Sequence, residues 1–202
     1  MVGNREFLYR KLHSLLGVIP VGIFLIVHLM VNYTAVHGAE SYNAATHFME
    51  NLPFRYLLEI FFIFLPLLFH AVYGLFIAFQ AKHNTNTYGY FRNWMFRLQR
   101  TTGVITVIFL AWHVWETRVA AALGTPVDFD MMANIVANPF ILTFYIVGIV
   151  AATFHFANGL WSFFVTWGIT ITQRSQQIST YVTLGVFVAL TFVGIRAILA
   201  FI

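Results

Sequence analysis

The chain has no cysteine and only 7 acidic residues among 202. Without cysteine it can hold no disulfide, no all-cysteine iron–sulfur cluster and no haem attached through a Cys-x-x-Cys-His site. Any bound iron falls to histidine, methionine or tyrosine. Charge of either sign is scarce, at 9% of residues, against 60% hydrophobic and a mean hydropathy of +0.79. A soluble domain is excluded on that composition. The net charge of +4 rests on 11 lysines and arginines lying mostly in connecting segments, where membrane topology explains them better than nucleic acid does. No stretch alternates at period two over ten residues, which excludes a membrane barrel and leaves a helical bundle.

Five apolar segments approach the ~20 residues that cross hydrocarbon: 12–36, 56–81, 95–122, 139–167 and 181–202. They predict an all-α integral membrane protein, a single membrane domain over 1–202 whose first four helices form an up-down bundle. The first span is read as uncleaved, because it has full bilayer length and no small-residue cleavage site. Arg5, Arg10, Lys11, Lys82, Arg92, Arg97, Arg100 and Arg174 fall on one side, and Arg55, Arg118 and Arg196 on the other. By the positive-inside rule the N-terminus is cytoplasmic and the C-terminus outside. Segments 37–54 and 126–138 mix apolar and polar residues and suit short helices on the outer surface. The polar loops 82–94 and 168–180 suit a cytoplasmic partner.

Four of the histidines, His28, His70, His113 and His155, lie inside these spans. The separations His28 to His113 and His70 to His155 are both 85, and His28 to His70 and His113 to His155 are both 42. A lone membrane histidine is often a neutral imidazole bonded to a neighbouring helix. Four in matched pairs point instead to a cofactor, since imidazole is a common haem ligand and bundles hold cofactors between facing helices. Counting ~1.5 Å per residue from the inner end of each apolar segment, His28 and His113 lie about 24 and 27 Å deep, and His70 and His155 about 18 and 19 Å. His28 therefore pairs with His113 and His70 with His155, each pair across a bundle diagonal. Zinc fits poorly, because its sites gather three or four ligands together. The remaining histidines, His13, His37, His47 and His83, read as interface or loop residues, with a haem propionate or quinone contact as the alternative for His13, His37 and His47.

A weak internal repeat accompanies the pairs. The stretch Arg10-KLHSLLGVI matches Arg97-LQRTTGVI, and FHAVYGL around His70 matches FHFANGL around His155. Gly74 and Gly159 follow their histidines by four residues on the same helix face, where a missing side chain would let a flat macrocycle lie against the backbone. Close helix packing at small residues is the competing reading. Two imidazoles on one iron leave no open coordination position, which suits electron transfer. For a quinone, Glu59 and Trp112 are the candidates, both near the outer surface. Two alternatives stay open: a dihaem cytochrome serving a hydrogenase or formate dehydrogenase, and a non-redox transporter using buried histidines.

Nearly the whole chain resembles the cytochrome b membrane anchors of succinate dehydrogenases, in the class where one five-helix polypeptide carries two b haems and serves menaquinone. The likeness runs through GNREF, RKLHSLLGVIPVGIFLIVHL, NLPFRYLLEIFFIFLPLLFHAVYG, YFRNWMFRLQR, WHVWETR, DFDMMANI, FHFANGLWSFFVTWGIT and QRSQQISTYVTL. It implies axial ligation of one haem b by His28 with His113 and of the other by His70 with His155. It also implies a multi-pass protein of the bacterial cell membrane, with flavoprotein and iron–sulfur subunits on the cytoplasmic face that supply the succinate-oxidising site this chain lacks. Some fumarate reductases of this class carry a proton-transferring glutamate on the fourth helix. Here Thr153, Phe154 and Phe156 flank that place, so the resemblance does not extend to that proton path.

Overall fold

The computed structural model describes residues 2–202, and among the described residues every regular element is helical. Helix α1 is built from Val2–Val18 and Pro20–Tyr33 and ends in the 3-10 turn Thr34–His37. Then come α2 (Ala39–Glu50), α3 (Arg55–Gln80), α4 (Phe91–Ala122), α5 (Phe129–Val136), α6 (Pro139–Thr166) and α7 (Gln173–Leu199). Helices α1, α3, α4, α6 and α7 are long and apolar enough to cross a membrane.

These helices begin or end beyond the apolar limits that hydropathy gives. The first membrane-length helix starts at Val2 and not at 12, the third at Phe91 and not at 95, and the fifth at Gln173 and not at 181. Hydropathy marks the part of a helix that meets lipid, whereas caps mark where it starts. Thr172 accepts a hydrogen bond from the Ser175 amide, which starts α7 inside the polar run QRSQQIST. The loop expected over 168–180 is correspondingly shorter. Asn138 caps α6 in the same way, with Pro139 at the first helical position, where its missing N–H costs nothing.

Prolines explain two irregularities. Pro20 interrupts α1 at Ile19, because it cannot donate to the preceding turn. In α3, Pro66 follows a wide π-helical stretch, Glu59–Phe64, and the widened turn relieves the clash between the proline ring and the carbonyl four residues back. A second π-helical stretch, Trp115–Val119, lies near the end of α4, and there Thr117 Oγ1 donates to the His113 carbonyl at 2.6 Å.

The first four membrane helices form an up-down bundle in which α1 meets α3, α3 meets α4, α4 meets α6 and α6 meets α1. Helix α7 lies outside this square, along α6 and α1. Small residues make the close approaches possible: Gly148 of α6 lies under the Phe109 ring, and Gly194 of α7 faces Ile149 and Leu29. The buried Thr153 bonds Thr191 across the α6–α7 seam at 2.8 Å. Large apolar side chains such as Phe62, Leu68, Phe76, Val188 and Phe192 point outward and are exposed, as a lipid solvent requires.

The two segments expected on the outer surface, 37–54 and 126–138, contain α2 and α5. They close one end of the bundle against each other, with Phe129 N–H donating to Asn43 Oδ1 at 2.8 Å. Tyr42, Phe129 and Phe201 form an aromatic cluster beneath them. Burial, with the Asp128 carboxylate adding to it, pushes the Tyr42 phenol up to about 12, so it stays neutral in that cluster. This closed end carries Glu40, Glu50, Glu59, Glu116, Asp128 and Asp130 and is called the acidic end; the opposite end, with Arg10, Lys11, Lys82, Arg92, Arg97, Arg100 and Arg174, is the basic end.

Candidate functional site

The bundle brings the four span histidines together in two diagonal pairs. His70 of α3 and His155 of α6 have ring centroids 6.0 Å apart, and His28 of α1 and His113 of α4 have theirs 5.7 Å apart. With metal–nitrogen bonds of about 2.0 Å, two imidazoles on opposite sides of one metal ion have centroids on the order of 6 Å apart. Among the described residues no group of three or more histidines and carboxylates clusters as a zinc site would require.

The pairs sit at distinct depths. Gly17 lies against the His70 ring and Gly103 against the His155 ring, so these glycines mark the level of that pair on α1 and α4. His28 follows Gly17 by 28 − 17 = 11 residues and His113 follows Gly103 by 113 − 103 = 10. At ~1.5 Å per residue the two pairs stand about 15 Å apart along the axis. That exceeds the modest offset counted from the apolar boundaries, because α1 and α4 start in polar sequence before those boundaries.

At the basic-end pair the anchoring is a backbone device used twice. His70 Nδ1 donates to the His13 carbonyl and His155 Nδ1 to the Gln99 carbonyl, both at 2.9 Å. A carbonyl can only accept, so each Nδ1 carries the hydrogen and each Nε2 is left with its lone pair, the tautomer a metal ligand needs. His13 and Gln99 are matching positions of the sequence repeat, each four residues before its glycine. The absent side chains of Gly17 and Gly103 are what let the rings come this near the preceding helix: a Cβ on Gly103 would lie 2.8 Å from His155 Cε1.

Gly74 and Gly159 lie at close helix contacts, the second of the two readings their spacing allows. In the structure their bare faces receive side chains of the preceding membrane-spanning helix, α1 or α4, with His13 Nε2 3.0 Å from the place a Cβ of Gly74 would take and Gln99 Nε2 3.2 Å from that of Gly159. His13 is stacked on His70 at 4.1 Å with the rings 4° from parallel. Gln99 donates to the His155 carbonyl at 3.0 Å and accepts from Asn158 at 2.8 Å. Sequence reading placed His13 at the interface, with a propionate or quinone contact as its alternative, and passed over Gln99. The signal was present, since they occupy equivalent places in the repeat, but their shared feature is a backbone carbonyl, which no residue type announces.

At the acidic-end pair the contacts are side chains. His113 Nδ1 lies 3.3 Å from Tyr145 Oη, and Phe109 stacks on the His113 ring at 5.5 Å. Asn32 donates to the His28 carbonyl at 2.8 Å, and Phe24 lies beside the His28 ring. Glu59 is tied across to Arg118 of α4 at 2.7 Å and is 3.7 Å from Arg55. Trp112 stands 45% exposed on the outer surface of α4. The quinone candidates are thus an ion-paired carboxylate and a lipid-facing indole. His47 lies on α2, where Asn51 bonds it at 3.1 Å, and His37 ends α1.

Comparison with known proteins finds similarity along the whole chain. The chain is 67% identical over 202 residues to the succinate dehydrogenase cytochrome b558 subunit of Bacillus subtilis (strain 168), covering 100% of both sequences. Residues 80–194, which hold His113 and His155 and the whole of the helices that carry them, match the family described as succinate dehydrogenase/fumarate reductase transmembrane subunit. With five membrane-length helices and this similarity over its full length, the chain belongs to the succinate dehydrogenase/fumarate reductase transmembrane subunit family.

Proposed function

We propose that this membrane subunit of a succinate dehydrogenase is a dihaem cytochrome b that passes electrons across the bilayer to menaquinone. His70 and His155 would hold the iron of one haem b near the basic end, and His28 and His113 that of the other near the acidic end. The observation that carries the reading is the pair of diagonal imidazole couples, with His70 and His155 each fixed through Nδ1 by a carbonyl of the preceding helix. Bound haem b would supply one-electron transfer, with His28, His70, His113 and His155 as the residues that would hold it.

The protein's own residues do the rest. Gly17 and Gly103 set how closely the basic-end ligands approach α1 and α4. The basic end faces the cytoplasm by the positive-inside rule, and there the flavoprotein and iron–sulfur subunits dock. Menaquinone is reduced near the acidic end, where Trp112 adjoins His113 and offers an aromatic wall. Glu59, held by Arg118, is the polar group there that can exchange protons.

The test is a dithionite-reduced minus oxidised spectrum together with low-temperature EPR. The parent should show two low-spin haems, and replacing any one of His28, His70, His113 or His155 by alanine should remove one of them or convert it to high spin. His83→Ala should leave both. A His28→Ala protein that keeps two low-spin haems would overturn the assignment.

A further inference from the structure

We propose that Tyr145 is a positioning residue for His113 and that it conveys the charge of Glu116 to that imidazole, so that a carboxylate–phenol–imidazole chain tunes the redox preference of the acidic-end haem alone. This rests on the reading of His113 as an axial ligand. Tyr145 is only 2% exposed, among the most completely buried large side chains. Its Oη lies 3.3 Å from Glu116 Oε2 and 3.3 Å from His113 Nδ1.

The hydrogen positions follow from what each group can do. A carboxylate only accepts, so the single phenolic hydrogen is donated to Glu116. The phenol oxygen then meets His113 with a lone pair, so Nδ1 carries the hydrogen and Nε2 is free to bind iron. The edge-on packing of Tyr145 against His113, at 77° and 5.6 Å, and the stacking of Phe109 on His113 hold this geometry. Glu116, three residues beyond His113, shares its helix face and lies toward the acidic end. Among the described residues the other three span histidines have no such chain: His70 and His155 end on backbone carbonyls, and the side chain that meets the His28 ring, 3.5 Å from Nε2, is the neutral Asn32.

A hydrogen bond that leads from a ligand imidazole to an anion makes the imidazole a stronger electron donor, and ferric iron is stabilised over ferrous. Removing the phenol hydroxyl or the carboxylate charge therefore raises the potential of that haem. The experiment is a potentiometric titration of the whole purified complex, following each haem by its own absorption and low-spin EPR signal. Tyr145→Phe keeps the ring and should favour the ferrous acidic-end haem about tenfold, a shift of ~59 mV for one electron. Its EPR g-value should change while the basic-end haem keeps both potential and signal. Glu116→Gln should shift the same haem in the same direction by less, and the double variant should shift no further than Tyr145→Phe.

An unmoved acidic-end haem in Tyr145→Phe, equal shifts of both haems, or additive shifts in the double variant would overturn the proposal. If Tyr145→Phe does not assemble, Glu116→Gln decides, since it retains the phenol. His113→Ala separates the two readings. One haem lost there with no shift in Tyr145→Phe sinks only the chain of hydrogen bonds, whereas two haems kept sinks the ligand assignment beneath it.

Discussion

At the basic end both histidines of a pair are held by peptide carbonyls, and at the acidic end His113 is held by a tyrosine that answers to a carboxylate. A carbonyl bond survives substitution of the residue that offers it, provided the helices keep their spacing. A side-chain bond can be altered by one mutation with the backbone unmoved. The basic-end pair is therefore protected by glycines and register, and the acidic-end pair is adjustable through residue identity. Both arrangements select the same histidine tautomer by different means.

The largest effect is expected where that spacing is breached. A Cβ on Gly103 would sit 2.8 Å from His155 Cε1 and 3.1 Å from Nδ1, and one on Gly17 would overlap the His70 ring. Neither ring can retreat without stretching its 2.9 Å bond to Gln99 or His13. Gly17→Ala and Gly103→Ala should each cost the basic-end haem, seen as its loss or conversion to high spin, while the acidic-end spectrum stays intact. Gly159→Ala should be mild, since its Cβ would meet only the flexible end of Gln99 at 3.2 Å. Loss of both haems in Gly103→Ala would mean that the two pairs are not held independently.

Much of this was legible in the sequence and some was not, for identifiable reasons. Hydropathy finds five spans because lipid exposure demands apolar side chains all along them, and histidine stands out inside them because a polar group there is rare. The diagonal pairing follows from up-down topology. What was hidden depends on backbone groups or on partners far apart in sequence: the carbonyls of His13 and Gln99, and the meeting of Tyr145 with Glu116. Gly74 and Gly159 stood out by spacing, yet the glycines against the histidine rings are Gly17 and Gly103, visible only once α1 is laid beside α3 and α4 beside α6. Helix starts in polar sequence, as at Gln173, escape a hydropathy argument altogether.

If electrons enter at the basic end and menaquinone is reduced at the acidic end, the two ends also differ in electrical potential. No carboxylate adjoins His155 on α6, where Thr153, Phe154 and Phe156 stand, so on that reading protons for the quinol would come from the acidic end, the outer side in the proposed orientation. Electrons moving outward and protons taken up outside dissipate an inside-negative potential. Each charge crossing 100 mV is worth ~2.3 kcal/mol, or roughly 4.6 kcal/mol for two electrons, enough to assist transfer from succinate to a low-potential quinone. Succinate oxidation through the endogenous quinone should slow several-fold in sealed right-side-out vesicles when an uncoupler is added. Water-soluble acceptors that bypass this subunit should show no response. A quinone-linked rate that holds or rises would put the quinone at the basic end or open a proton route from inside.

The smallest expected effect concerns docking, and here the structure separates basic residues that the sequence treats alike. Arg92 donates to Thr180 and lies 3.6 Å over the Trp161 ring. Arg97 bonds Thr85 at 2.9 Å, and Lys11 bonds the Thr166 carbonyl and lies over Trp167. These cations are already engaged in tying helices and loops together at the basic end. Lys82 and Arg174 are exposed there. Exposed charges contribute little individually, on the order of 1 kcal/mol or less, but they act on encounter rates and fall with salt. Lys82→Ala with Arg174→Ala should therefore lower recovery of the soluble subunits with the detergent-extracted complex by a few-fold at low salt, with the difference from the parent shrinking as salt rises. Both haems should keep their parental spectra. Arg92→Ala should disturb the bundle itself, read as lower thermal stability of the basic-end haem signal. Arg118→Ala, at the opposite end, should leave subunit recovery at the parental level while freeing Glu59 from its partner. Equal losses of subunits from changes at the two ends would show that electrostatics at the basic end does not direct assembly.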